Sequence, residues 1–264
     1  MADAAHRRER PMKVNVHDDN LAPSLPKISC HQCSISQLCL PVSLAEAEIE
    51  HLDSIIQRNR PLHRGEHLFR GGDLLVSLFA IRSGSLKTYT ISPEGEEQIT
   101  GFHLAGEVVG LDALYNKSHP SFATALETTM VCALPFDELE ELSGSIPGLR
   151  SQLLRVMSRE ILEDQELLLL LNKKSAEERL AAFLVNLSSR YSRRGRSASR
   201  FLLPMTRSDV GNYLGLTIET VSRLFARFQK SGLLDAQGKE VHLLDMPALT
   251  AMAGTNCNAH APQL

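Results

Sequence analysis

Residues 205–234, MTRSDVGNYLGLTIETVSRLFARFQKSGLL, decide how the last third of the chain folds. Thr206 followed three residues later by Asp209 forms a capping box that starts one helix, and Gly215 ends it in a left-handed turn. Thr217 caps a second helix, predicted to run to about Gln229. Two short helices joined by a glycine turn have the outline of a helix-turn-helix. At about 100° per residue, Val221, Leu224, Phe225 and Phe228 share one face of the second helix, and Glu219, Ser222, Arg223 and Ala226 share the other.

That outward face suits base reading. Arg223 can donate two hydrogen bonds to a guanine, Glu219 can accept from a cytosine amino group, and Ser222 can bond either kind of edge. A Glu and an Arg four residues apart also pair on any solvated helix, so the face argues for double-stranded DNA only together with the turn and the caps. Charge adds to it: residues 173–245 hold 13 Lys and Arg against 7 Asp and Glu, whereas the rest of the 264-residue chain holds 15 against 24. A basic domain on an acidic body points to a polyanion at one end.

Working back toward the N-terminus, residues 149–173 contain no Gly or Pro and are predicted to form one long helix. Positions 150, 154, 157, 161, 164, 168 and 171 step by four and three and read Arg, Leu, Met, Ile, Asp, Leu, Leu. This is the seam of a coiled coil. Leu154, Met157, Ile161, Leu168 and Leu171 need a partner, and Asp164 opposes one: across a twofold seam two carboxylates meet where water is scarce. Either the stripe packs on the chain's own body with Asp164 at its edge, or it makes a homodimer held near its assembly threshold.

Between residues 61 and 136, glycines recur at 65, 71, 72, 84, 95, 101, 106 and 110 among the short runs LLVSLFAI, SLKTYTI and QITGFHL. This texture predicts an antiparallel sandwich or roll. The fold class is therefore α+β: an N-terminal β-roll, a long helix that is the candidate dimerisation helix and a C-terminal helix-turn-helix. The expected divisions are a flexible arm over 1–27, a sensor domain over 28–145, the helix over 146–173, the DNA-binding domain over 174–250 and a tail over 251–264, with no clear pattern after Met246. No apolar run approaches the roughly 18 residues of a membrane span, and no signal core follows the charged N-terminus, so a cytoplasmic protein without a membrane partner is expected.

Three of the five cysteines, Cys30, Cys33 and Cys39, fall within CHQCSISQLC. In a reducing compartment such density points to metal binding or redox sensing. Cys132 could supply a fourth thiolate, although a lone cysteine in TTMVCALPF reads equally well as a small core residue. Cys257 is the bystander. Four thiolates suit tetrahedral zinc or an iron-sulfur cluster.

The order of cysteine loop, glycine-rich roll, long helix and helix-turn-helix resembles the cyclic-AMP receptor superfamily. The stretches CSISQLC, AIRSG, EQITGFHLAG, PSFATALET, KKSAEERLAAF and NYLGLTIETVSRLFARFQKSG resemble its oxygen-sensing branch, the fumarate and nitrate reduction regulator family. Within that branch the chain looks most like the anaerobic regulators of arginine deiminase and nitrate respiration. The resemblance implies that Cys30, Cys33, Cys39 and Cys132 hold a 4Fe-4S cluster formed without oxygen, and that the chain is a homodimer when loaded and a monomer as the apo form. It also implies that Glu219, Ser222 and Arg223 read TTGAT-type inverted repeats. Ser92, Glu94, Gly95 and Glu96, in SPEGEE, would touch RNA polymerase, so that genes of anaerobic metabolism are activated.

Other readings stand beside this one. A cyclic-nucleotide receptor would share the Gly106–Glu107 pair, but where its phosphate-clamping arginine should fall the chain has Ser121. A zinc site or a thiol-disulfide switch could replace the cluster. No nucleophile-base pair or phosphate loop marks an enzyme, and none is expected.

Overall fold

The glycine-punctuated part of the chain folds as two antiparallel sheets in a computed structural model that describes residues 29–254. The arm expected over 1–27, and residues 255–264 with Cys257, lie outside the described residues. Helix α1 (Glu46–Ile55) leads into β1 (Gln57–Arg58), β2 (His67–Phe69), β3 (Ser77–Ser83), β4 (Ser85–Ile91), β5 (Glu97–Leu104), β6 (Val108–Val109), β7 (Phe122–Ala125) and β8 (Met130–Pro135). One sheet has the order β1-β8-β3-β6 and the other β2-β7-β4-β5. Phe69, Ile81, Leu86, Ala123 and Val131, drawn from both sheets, form one buried cluster. The run LLVSLFAI becomes strand only from Ser77. Leu74 and Val76 stay exposed, because the chain before Ser77 is tied to a loop: Leu75 N–H donates to Lys117 O at 2.9 Å.

Helix α2 (Phe136–Ser145) is followed by the long α3 (Pro147–Lys173). The first half of α3 is anchored on the roll, with Leu149 and Val156 buried against Leu40, Leu52, Leu134 and Leu139, and its end packs Leu170 on the core that holds α4. Then come α4 (Ala176–Arg193), β9 (Arg200–Leu202), α5 (Arg207–Leu214), α6 (Ile218–Lys230), β10 (Leu234–Gln237), β11 (Glu240–Leu243) and α7 (Met246–Ala253). The three strands form the wing in the order β10-β11-β9.

The local chemistry expected of the helix-turn-helix is present. Thr206 Oγ1 accepts from Asp209 N–H at 3.1 Å, Asp209 Oδ2 accepts from Thr206 N–H at 2.8 Å, and Gly215 turns left-handed at φ 63°. Thr217 Oγ1 accepts from Thr220 N–H at 3.2 Å. Val221, Leu224, Phe225 and Phe228 are buried. The segment after Met246, patternless as sequence, is a helix started by Asp245 Oδ1, which accepts from Ala248 N–H at 2.9 Å. Leu249 and Ala253 close the same core as α4, so this helix crosses the boundary drawn at residue 250. Small and apolar residues on several sides left no alternation to read.

The C-terminal domain is docked on the roll. Tyr213 lies with its ring centroid 5.0 Å from that of Phe102, and Asn212 Oδ1 accepts from Ile99 N–H at 2.6 Å while Asn212 Nδ2 donates to Glu97 O at 2.6 Å. Deeper in, the Glu107 carboxylate is held by the guanidinium groups of Arg190 and Arg194 and accepts from Leu104 N–H at 2.9 Å. Burial alone would raise this carboxyl; the two arginines instead hold it down at about 2.

Candidate functional site

The cysteine loop is a chain of short turns. Cys33 N–H donates to Cys30 O at 3.3 Å, Ser36 N–H to Cys33 O at 3.1 Å, and Cys39 N–H to Ser36 O at 3.3 Å. The spacing C-x2-C-x5-C thus follows a three-residue register of successive turns, in which Cys33 and Cys39 are themselves extended. Ser36 occupies the remaining position of that register and lies on the same pocket.

Cys30 is buried, and Cys33, Cys39 and Cys132 are half-buried. All four line one apolar pocket with Ile35, Leu52, Ile56 and Leu134. Cys132 arrives from the sheet, on β8, opposite Arg58 of β1 and Ala80 of β3. The structure therefore brings together two cysteine segments about a hundred residues apart in sequence. Among the described residues, no three His, Cys, Asp or Glu side chains are gathered tightly enough to hold a single metal ion.

Electrostatics around the pocket favour the protonated thiols of Cys30, Cys39 and Cys132. Burial raises Cys30, with the neighbouring Asp53 adding to the shift, and burial pushes Cys39 up to about 12. Cys132 is raised by burial too, opposed by the charges of Arg58 and Arg82. Any metal bound as thiolate must displace these protons.

The pocket has a polar frame that sequence reasoning missed. Asp53 Oδ1 accepts from Cys30 N–H at 2.8 Å and is paired with the Arg58 guanidinium. Burial alone would raise the Asp53 carboxyl, but the hydrogen bonds from Cys30 and Arg58 hold it below its usual range. Arg58 Nε is buried without a hydrogen-bond partner. Arg82, also on the pocket, donates to Met130 Sδ at 3.3 Å.

The long helix exposes an apolar stripe along its middle and second half, beside the end that packs Leu170 on the C-terminal core. Leu154 is 60% exposed, Ile161 57% and Leu168 60%; Met157 and Asp164 are exposed as well, and Leu171 is half-buried. Leu162 and Leu169, outside the seam read from the heptad, are exposed beside it and widen the apolar stripe. Partial burial raises the Asp164 carboxyl.

On α6 the outward residues are free of the core. Glu219, Ser222 and Arg223 are exposed; Ser222 Oγ donates to Ile218 O at 2.8 Å, and Arg223 reaches Thr220 Oγ1 at 3.4 Å. Hydrogen bonds from its own backbone N–H and from Thr217 lower the Glu219 carboxyl, which keeps it an acceptor. The basic charge of this domain is less available than its count implied. Arg190 and Arg194 are spent on Glu107, Arg227 pairs with Glu177, and Arg179 donates to Leu214 O at 3.0 Å. Ser92, Glu94, Gly95 and Glu96 make the tight turn between β4 and β5, where Gly95 N–H donates to Ser92 O and Ser92 N–H to Glu96 O, both at 2.9 Å.

Residues 178–252 match the Crp-like helix-turn-helix domain, and residues 59–145 match the cyclic nucleotide-binding domain. The chain is 59% identical over 231 residues to the anaerobic regulatory protein of Aggregatibacter actinomycetemcomitans, covering 88% of this chain and 90% of that one. It is 59% identical over 227 residues to the fumarate and nitrate reduction regulatory protein of Yersinia pestis, with 86% and 91% covered. Among solved structures it is similar to FixK2 from Bradyrhizobium japonicum, with a TM-score of 0.69 and 29% identity over 76% of this chain and 98% of that one.

Proposed function

The chain belongs to the fumarate and nitrate reduction regulatory protein family, and from that premise we propose that it is an oxygen-responsive, cytoplasmic transcription regulator of anaerobic metabolism. The observation that carries the reading is the pocket in which thiols of the loop and of β8 face one apolar space. Cys30, Cys33, Cys39 and Cys132 would hold a 4Fe-4S cluster. The donor set fits that group: among the described residues, four cysteines and no carboxylate or imidazole line the pocket, and four thiolates suit an iron-sulfur cluster. When bound, such a cluster supplies an oxygen-labile link between loop and roll.

The chain's own residues account for the response. Fixing the loop against β8 steadies the face of the roll on which α3 is anchored. The seam of Leu154, Met157, Ile161, Leu168 and Leu171 then pairs with a second copy against the opposition of Asp164. A dimer sets two copies of α6 about one duplex turn apart, roughly 34 Å, so that Glu219, Ser222 and Arg223 meet the halves of a TTGAT-type inverted repeat. Ser92, Glu94, Gly95 and Glu96 offer RNA polymerase an acidic turn. A cyclic nucleotide is a poorer occupant of the roll: Glu107 is taken by two arginines, and Ser121 bonds Asp112 where a phosphate clamp is required.

Purification without oxygen followed by visible absorption and iron, sulfide and zinc analysis tests the reading. A brown protein with equal iron and sulfide that bleaches in air supports it; stoichiometric zinc without colour overturns it. Asp164→Ala is expected to dimerise in air, tightening self-association of the metal-free chain by about tenfold or more. Sedimentation equilibrium measures this, and a variant that stays as monomeric as the unaltered chain removes Asp164 from the seam.

A further inference from the structure

One ion pair beside the cysteine pocket joins three separate elements. Asp53 sits on α1, Arg58 on β1, and Cys30 at the start of the loop. Asp53 Oδ1 takes the Cys30 N–H at 2.8 Å and the Arg58 guanidinium together, while Arg58 stands opposite Cys132 in the β1–β8 register. The loop is thereby tied through Asp53 and Arg58 to β1, the strand paired with the one that carries Cys132. A backbone amide bonded to a carboxylate is stronger than one bonded to a neutral acceptor. It also fixes Cys30 where an unbonded loop would be free to swing.

The same arginine carries a second observation. Its Nε is buried and has no hydrogen-bond partner, a condition that costs stability unless an acceptor arrives. Thiolates gathered in this pocket bring negative charge into apolar surroundings, which is unfavourable without a nearby cation. Arg58 and Arg82 supply that charge from the sheet side, next to Cys132.

We propose that Asp53 and Arg58 are positioning residues of the four-cysteine site: Asp53 preorganises Cys30, and Arg58 both orients Asp53 and offers its free Nε–H and its charge to the thiolates. The assignment rests on the cluster reading above. It divides the work between the two residues, and the division is measurable. Asp53 acts on the metal-free protein. Arg58 acts in addition on the loaded one.

Two readouts separate these roles. In the metal-free chain, amide hydrogen exchange over residues 30–39 is expected to speed up by about tenfold or more in Asp53→Ala; exchange equal to that of the unaltered chain overturns the role of Asp53. In protein reconstituted with iron and sulfide, the visible absorbance is followed after admission of air. Arg58→Met is expected to lose it several times faster than the unaltered chain, and Arg58→Lys, which keeps the charge, to restore most of its lifetime. Equal lifetimes for Met and the unaltered chain, or no rescue by Lys, overturn the role of Arg58. If the unaltered chain takes up no iron, the cluster reading and the role of Arg58 fall together, and the exchange measurement alone still decides on Asp53.

Discussion

Cys132→Ser protein purified without oxygen is expected to be colourless, with iron and sulfide near zero, and inactive on any promoter that the unaltered chain activates in anaerobiosis. The loop can offer at most three thiols, because Cys30, Cys33 and Cys39 are joined by consecutive turns. The remaining ligand has to come from outside it, and among the described residues the other cysteine lining the pocket is Cys132. Serine keeps the size of the side chain and removes the thiolate. If Cys132 were merely a small core residue, the same change would cost only about 1–3 kcal/mol for a poorly paired hydroxyl and would leave the colour intact. Iron and sulfide analysis therefore discriminates the two roles, and denaturation of the metal-free variant checks that the roll still folds.

Glu107→Ala is expected to cost about 3–5 kcal/mol of stability, because it strands two buried guanidinium groups. Those groups belong to α4 and the turn after it, so the contact that fails is the one between roll and C-terminal domain. Chemical denaturation measures the cost, and proteolysis around residues 193–200 measures the loosening. The pH dependence carries a sign of its own. Glu107 is held at about 2, below its ordinary value of 4.5, so its stabilisation is fully present above pH 4.5 and is lost as pH falls toward 2. The alanine variant lacks this part of the acid response, and its stability relative to the unaltered chain should converge in that window.

What could be read in advance was local. Thr206, Asp209, Gly215 and Thr217 signal within four residues of where they act, and the pattern of Val221, Leu224, Phe225 and Phe228 repeats within a few turns. Long-range pairings left no such trace. Arg190 and Arg194 counted toward a charge meant for a polyanion, since nothing near them names Glu107, more than eighty residues earlier, as their partner. The pair of Asp53 and Arg58 is short-range, yet its purpose depends on Cys30 and on a strand register that only folding creates. Cys132 carries no mark in its own neighbourhood; the pocket supplies it. The helix Met246–Ala253 was hidden for a different reason, because its apolar residues do not keep to one side.

The contact between Leu38 and Gly106 bears on how the loop can vary. A side chain on Gly106, which has φ +90°, would put its Cβ 2.8 Å from Leu38 Cβ, so the loop lies directly on the roll one residue before Glu107. The cysteine loop and Glu107, which docks the C-terminal domain, are thus separated by a single peptide unit at this point, not by the length of α3. A side chain in place of Gly106 would therefore press on the cysteine loop and strain the turn that steadies the C-terminal domain together.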